Sequence, residues 1–202
     1  MTANMTRKED SMPDNDVKIY KSKEERLGVQ VNLSGDFEQM HLHRANGNLE
    51  KAKQLGRRLA TLTPSFDGDG LLVNLQDVLP KKYLSQDILY QIKVLLVFEA
   101  EAFLQISVPV PVLAATAVNA LHDALRETAP GFHKNISDGA AFTFYYLAMK
   151  KSGNVSNNIG EAFAMLCNVK NKEGYVAAGT TVWNFAADII QKEIAAVSFA
   201  EE

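Results

Sequence analysis

The clearest hydrophobic pattern in the chain lies between residues 85 and 106, where apolar side chains occupy nearly every helical face. A helix that is apolar all round is packed by neighbours on several sides, so this pattern predicts a central helix. Ser85 is suited to cap its N-terminus, and the Val-Pro-Val-Pro sequence that begins at Val108 ends it. The apolar positions are Ile88, Leu89, Ile92, Val94, Leu95, Leu96, Val97, Phe98, Phe103, Leu104 and Ile106.

A second pattern is amphipathic and runs from Gly47 to Pro64. Leucine and alanine recur at helical spacing and form one apolar stripe, while lysine and arginine occupy the other face. Gly47-Asn48 predicts a turn before this helix. Thr63-Pro64 predicts its end, because the residue before a proline disfavours helical backbone. The stripe consists of Leu49, Ala52, Leu55, Leu59 and Leu62.

Further segments show helical periodicity, and none has the alternation of a convincing strand. The additional predicted helices cover residues 36–45, 111–128, 138–151, 158–169 and 174–198. Pro130-Gly131 is interpreted as the end of one helix, and residues 135–138 as caps for the next. About seven helices with short connections predict an all-α fold. The two arrangements open to it are a multi-helix bundle and a short irregular array of antiparallel helical hairpins.

The hydrophobic pattern also predicts how the chain divides. Residues 1–16 are polar and have no apolar period, so we expect a disordered N-terminal tail. Residues 17–202 are predicted to form a single all-helical domain, which is long enough to bury a core of its own.

The stretch from Gly47 to Pro64 resembles the second helix of a tetratricopeptide repeat. Gly47-Asn48 stands at the turn, Ala52 at the first small position and Pro64 at the closing proline. The family's third small position is Leu59 here, and one repeat length of about 34 residues after Gly47 stands Lys81 instead of another turn. The resemblance implies helical hairpins, but it does not extend into an array of repeats.

Charge and composition exclude several classes of function. The chain carries 21 Lys+Arg against 24 Asp+Glu and has no dense basic cluster, which argues against nucleic-acid binding. The most apolar region contains Lys93, Glu99 and Glu101, so it is not expected to span a membrane. Cys167 is the single cysteine and cannot form an internal disulfide. These features predict a soluble, cytoplasmic protein.

Glu99 and Glu101 are the candidate functional carboxylates, because they interrupt the most apolar helix. Two residues apart, they point in roughly opposite directions on a helix, so they are not expected to line one site together. A carboxylate that faced the core would have a raised pKa or a paired cation. The Glu38-x-x-His41 spacing of carboxylate metal sites occurs once and is not repeated, so no metal, cofactor or catalytic residue is predicted.

Aromatic side chains are concentrated in the C-terminal half, and not all of them share one helical face. Phe144, Tyr146, Tyr175 and Trp183 are therefore candidates for a partner surface or a pocket lining, with core packing as the simpler interpretation. The favoured hypothesis is a protein–protein interaction or scaffolding module, whose partners are other proteins or further copies of the chain. The alternatives are a helical small-ligand-binding protein and a helical enzyme with an unrecognised site, of which the enzyme is disfavoured.

Overall fold

The computed structural model describes residues 33–62 (side chains from Glu38), 79–83, 85–169 and 173–200. These residues form eight α-helices and one short 3-10 turn at Lys81–Tyr83, and they contain no strand. The all-α prediction is confirmed. The helices are α1 Leu33–Ala45, α2 Asn48–Leu62, α3 Gln86–Ser107, α4 Pro111–Thr128, α5 Pro130–Asp138, α6 Ala141–Lys150, α7 Val155–Leu166 and α8 Glu173–Ala195.

Helix α3 is the centre of the bundle, as its pattern predicts. It packs against α4, α6, α7 and α8. Its middle is buried on every face, and Ile92, Leu95 and Leu96 are fully excluded from solvent. Neighbours surround these middle turns, whereas the last turn, Gln105–Ser107, is exposed.

Helix α2 packs mainly against α4, which lies two helices further along the chain. The predicted stripe forms this contact, and Ala52 and Leu59 are fully buried in it. Gly56 lets the two backbones approach closely, because a Cβ atom there would fall on the carbonyl oxygen of Ala117. The amphipathic helix therefore finds its principal partner across the fold and not in a hairpin with the preceding helix.

A second close crossing joins α7 to α8. A Cβ atom at Gly160 would fall on the carbonyl oxygen of Val176 and on the side chain of Thr180. Thr180 uses its hydroxyl to donate to that same carbonyl at 2.9 Å. The small residue and the satisfied hydroxyl allow the last helix to lie tightly against its predecessor.

Helix α4 ends at Thr128, just before Pro130-Gly131, as predicted. The interpretation of residues 135–138 as caps for the next helix is wrong, because residues 130–138 form α5. Pro130 occupies the first turn of α5, where a proline loses no hydrogen bond. Phe132 and Ile136 lie one turn apart on the same side. Ile136 is buried, and Phe132 meets the ring of Tyr90 at 5.8 Å between centroids. The next helix consequently begins at Ala141, later than predicted.

The described residues from Asp36 onward group into one compact unit. The predicted disordered tail at 1–16 lies outside the described residues, and the division of the chain into a tail and a domain starting at residue 17 stays a prediction.

Candidate functional site

Helix α3 places its two candidate carboxylates in different surroundings. Glu99 is fully buried, whereas the side chain of Glu101 keeps about a quarter of its surface exposed. Around the helix axis Glu99 lies between Phe98 and Phe103, and both of these rings contact Trp183 of α8. Glu99 therefore lies on the side of α3 that faces α8.

Glu99 has no hydrogen-bond partner for either carboxylate oxygen. Burial raises its pKa well above the ordinary value, because an ionised carboxylate loses its hydration in the core and gains nothing in return. Glu99 is therefore a protonated, neutral side chain over a wider pH range than an exposed glutamate.

Glu101 forms a polar cluster with the helices beside it. Its Oε2 lies 3.0 Å from Nε2 of His122 on α4, and its Oε1 accepts a hydrogen bond from Gln105 at 3.0 Å. The ring of His133 on α5 contacts the ring of His122 edge to face, with 5.5 Å between centroids. Burial, and then the neighbouring His122, lower the pKa of His133. Three helices thus bring one carboxylate and two imidazoles together.

A groove of about 330 Å³ runs between α3 and α6 next to this cluster. Phe98 and Ala102 are buried and form its apolar floor, and Ile106 and Tyr146 stand exposed at its edges. Ile106 is 67% exposed and Tyr146 is 55% exposed. The remaining lining residues are Glu101, Gln105, Met149 and Lys150.

The groove carries charge of both signs. Glu101 supplies a carboxylate from α3, and Lys150 supplies an ammonium from α6 whose Nζ lies 5.5 Å from the centre of the Tyr146 ring. An ammonium over a ring face is attracted by the ring quadrupole, so Lys150 helps to hold Tyr146 at the groove edge.

The surface continues beyond Ile106 into a second groove. This groove has a volume of about 560 Å³ and lies between the end of α3 and α4. Gln105 and Ile106 line both grooves, so they form a ridge between them. The remaining lining residues of this second groove are small or apolar, with Asn119 at one side. They are Val108, Pro109, Pro111, Ala114, Ala115 and Val118.

The four candidate aromatics do not come together. Tyr146 lines the groove, whereas Phe144 is exposed elsewhere on α6. Tyr175 is half-buried and meets the ring of Tyr83 at 4.9 Å between centroids. Trp183 is only 6% exposed and belongs to the core, so it contributes to neither groove.

Sequence reasoning missed His122 and Ile106 as partners of the candidates. His122 lies 21 positions from Glu101, and no local spacing connects the two. Ile106 was assigned to the buried surface of the central helix. The polar residues on either side of it, Gln105 and Ser107, indicate that the last turn of that helix is exposed to solvent.

Burial raises the pKa of the half-buried Cys167 thiol to about 12, so the reactive thiolate is scarce at neutral pH. Among the described residues, no three His, Cys, Asp or Glu side chains are grouped to hold a metal ion. No helix among these residues is long and apolar enough to cross a membrane.

No protein-family model, curated protein or solved structure matches this chain.

Proposed function

We propose that this protein is an interaction module that binds a partner protein in the groove between α3 and α6. The observation that carries the proposal is the pair of exposed apolar side chains, Ile106 and Tyr146, on either side of a buried apolar floor. Exposed apolar groups of this kind are typical of surfaces that become covered on binding.

The polar groups of the groove define the chemistry of the partner. Glu101 favours a cationic or hydrogen-bond-donating group, and Lys150 favours a carboxylate. The apolar floor between them fits one or two aliphatic or aromatic side chains. A partner segment with an apolar centre and charges of opposite sign at its two ends would complement this surface.

The test replaces Ile106 with Asp in the full chain and measures partner recovery after cross-linking in the native cell. A charge at this edge should reduce specific partners about tenfold, because its desolvation opposes burial. Met165 is the matched control, since it is an exposed apolar residue on α7 that lines neither groove. Met165→Asp should leave recovery unchanged.

Two results would contradict the proposal. One is equal recovery with wild type and Ile106→Asp while both keep the same melting temperature. The other is equal loss with both aspartate variants. Light scattering on the purified proteins then separates a different partner from a second copy, because a dimer of this chain would dissociate in Ile106→Asp alone.

The hydrogen-bonded pair of Glu101 and His122 supports a second candidate, an enzyme in which His122 transfers protons and Glu101 positions its ring. Turnover of a substrate by the wild-type protein that is lost in His122→Gln would favour it.

Because the chain has a single cysteine, we also propose the cytosol as the place of action.

A further inference from the structure

The last described residues of the chain lie beyond the end of α8 and bind to the start of α2. After α8 ends at Ala195, Ala200 donates its N–H to Oδ1 of Asn48 at 2.8 Å. Its carbonyl oxygen accepts from Nδ2 of the same Asn48 at 2.9 Å. One buried side-chain amide thus satisfies both backbone groups of one residue, as a neighbouring β-strand would.

Asn48 is held in the orientation that this contact requires. Its Nδ2 also lies 3.2 Å from Nδ1 of His43, and both side chains are almost completely buried. Because Nδ2 can only donate, Nδ1 of His43 is the acceptor. The amide is therefore fixed by α1 and is ready to receive a peptide backbone.

A second backbone contact lies one turn further along α2. Lys51 donates from Nζ to the carbonyl oxygen of Ser198 at 2.6 Å. Along residues 197–200 the side chains alternate: Val197 and Phe199 pack against the core, while Ser198 and Ala200 face solvent. Backbone hydrogen bonds combined with alternating apolar anchors are the means by which proteins bind extended peptides.

The two helices beside this segment, α2 and α8, are also joined directly. Arg58 of α2 holds Glu193 of α8 through two contacts, at 2.6 Å and 2.9 Å, before the helix ends. Grooves of about 450 Å³ and about 540 Å³ lie beside the segment. Lys51 and Arg58 line the first together with the segment's Val197 and Ser198, and Pro109 lines the second together with Val197 and Phe199. The segment is therefore a strip bound to a larger surface.

We propose that residues 196–200 are a tethered occupant of a peptide-binding site, and that the site takes an extended segment of a partner protein when they leave. The partner segment carries apolar side chains at alternate positions, in the places of Val197 and Phe199. The tether makes the native segment a competitor at an effective concentration in the millimolar range, so only a displaced or weakened tail leaves the site open. This surface is separate from the groove between α3 and α6.

The test uses the full chain and a fluorescent peptide carrying the sequence of residues 195–202. Wild type should bind this peptide weakly, because its own tail fills the site. A tail variant, Val197→Ser with Phe199→Ser, should bind it at least about tenfold more tightly, since Asn48 and Lys51 are unchanged while the competing segment has lost its apolar anchors. Equal affinity for the two proteins, or no binding to the tail variant, would overturn the proposal.

Changes in the peptide test the backbone contact without altering the protein. N-methylation at the position equivalent to Ala200 removes the donor to Asn48 and should weaken binding to the tail variant about tenfold. N-methylation at the position equivalent to Ser198 is the matched control, because the contact to Lys51 there uses the carbonyl oxygen. Equal effects of the two methyl groups would show that Asn48 does not bind the peptide.

Light scattering separates a second copy from a different protein as the occupant. A wild-type dimer that dissociates in the tail variant would place another copy's tail in the site and would overturn the assignment to a foreign segment. A wild-type monomer, together with peptide binding by the tail variant, supports it.

Discussion

The start of α2 and the middle of α3 each bury a polar side chain completely, and they treat it in opposite ways. Asn48 bonds to Ala200 through both of its polar atoms, and also to His43. Glu99 has no partner for either oxygen. The two side chains are equally buried, but only Asn48 forms hydrogen bonds that compensate for its burial. In one region the polar group joins distant segments of the chain, and in the other it opposes the packing around it.

The largest expected effect follows from removing the satisfied group. Asn48→Ala should lower the free energy of unfolding by about 3 kcal/mol, because it removes three hydrogen bonds that each contribute about 1 kcal/mol. Chemical denaturation measures this change. Asn119→Ala is the control, since Asn119 is exposed on α4, and it should alter stability by less than about 0.5 kcal/mol. Similar results for the two variants would remove the distinction between these regions.

Replacing the unsatisfied group should have the opposite sign. Glu99→Met keeps an unbranched side chain of similar length and should stabilise the fold by roughly 1–3 kcal/mol at neutral pH, because a polar group without partners no longer needs burial. The change appears as a higher denaturant midpoint with an unchanged slope. A destabilised Glu99→Met protein would indicate that the carboxyl group has a partner in solution.

The unpaired carboxyl also predicts a pH dependence. The folded-state pKa of Glu99 is raised by burial above its ordinary value of 4.5. Above that value the unfolded chain releases the proton while the folded chain keeps it, so stability falls as pH rises. The contribution is fully present below pH 4.5 and is lost toward the raised pKa, with a slope of at most about 1.4 kcal/mol per pH unit. The difference between wild type and Glu99→Gln, followed by denaturation across pH, should show this slope.

The smallest effect is expected two residues away. Glu101 and His122 form a hydrogen-bonded pair in which each side chain is 24% exposed, so solvent screens it. Glu101→Gln should cost no more than about 1 kcal/mol, measured at neutral pH as for Glu99→Met. A loss as large as that of Asn48→Ala would mean that the cluster of Glu101, His122 and His133 stabilises the fold more than its exposure indicates.

Part of the fold could be read from local patterns. The apolar surface of residues 85–106 predicted a central helix, because a helix that is apolar on nearly every face must be surrounded by neighbours. The structure confirms this prediction. The stripe of residues 49–62 predicted one buried face for α2. The pair Pro130-Gly131 was misleading, since the same residues that stop one helix also suit the first turn of another.

The candidate site depended much less on local pattern. The spacing of Glu99 and Glu101 established that they diverge, but not which of them faces a neighbour. When nearly all residues of a helix are apolar, the sequence does not distinguish which of its faces is more deeply buried. Only the packing of neighbouring helices decided that Glu99 is enclosed, and the packing of α4 against α3 brings Glu101 to His122.

By itself, the sequence determined helix content, the central place of α3 and the buried face of α2, because these follow from periodicity over neighbouring residues. The tertiary structure alone decided what each buried polar atom meets. Asn48 reads as a turn residue in sequence, yet its amide binds Ala200, 152 positions away. Hydrogen bonds form between atoms a few ångströms apart in space, and separation along the chain carries no record of which distant residues the fold brings that close.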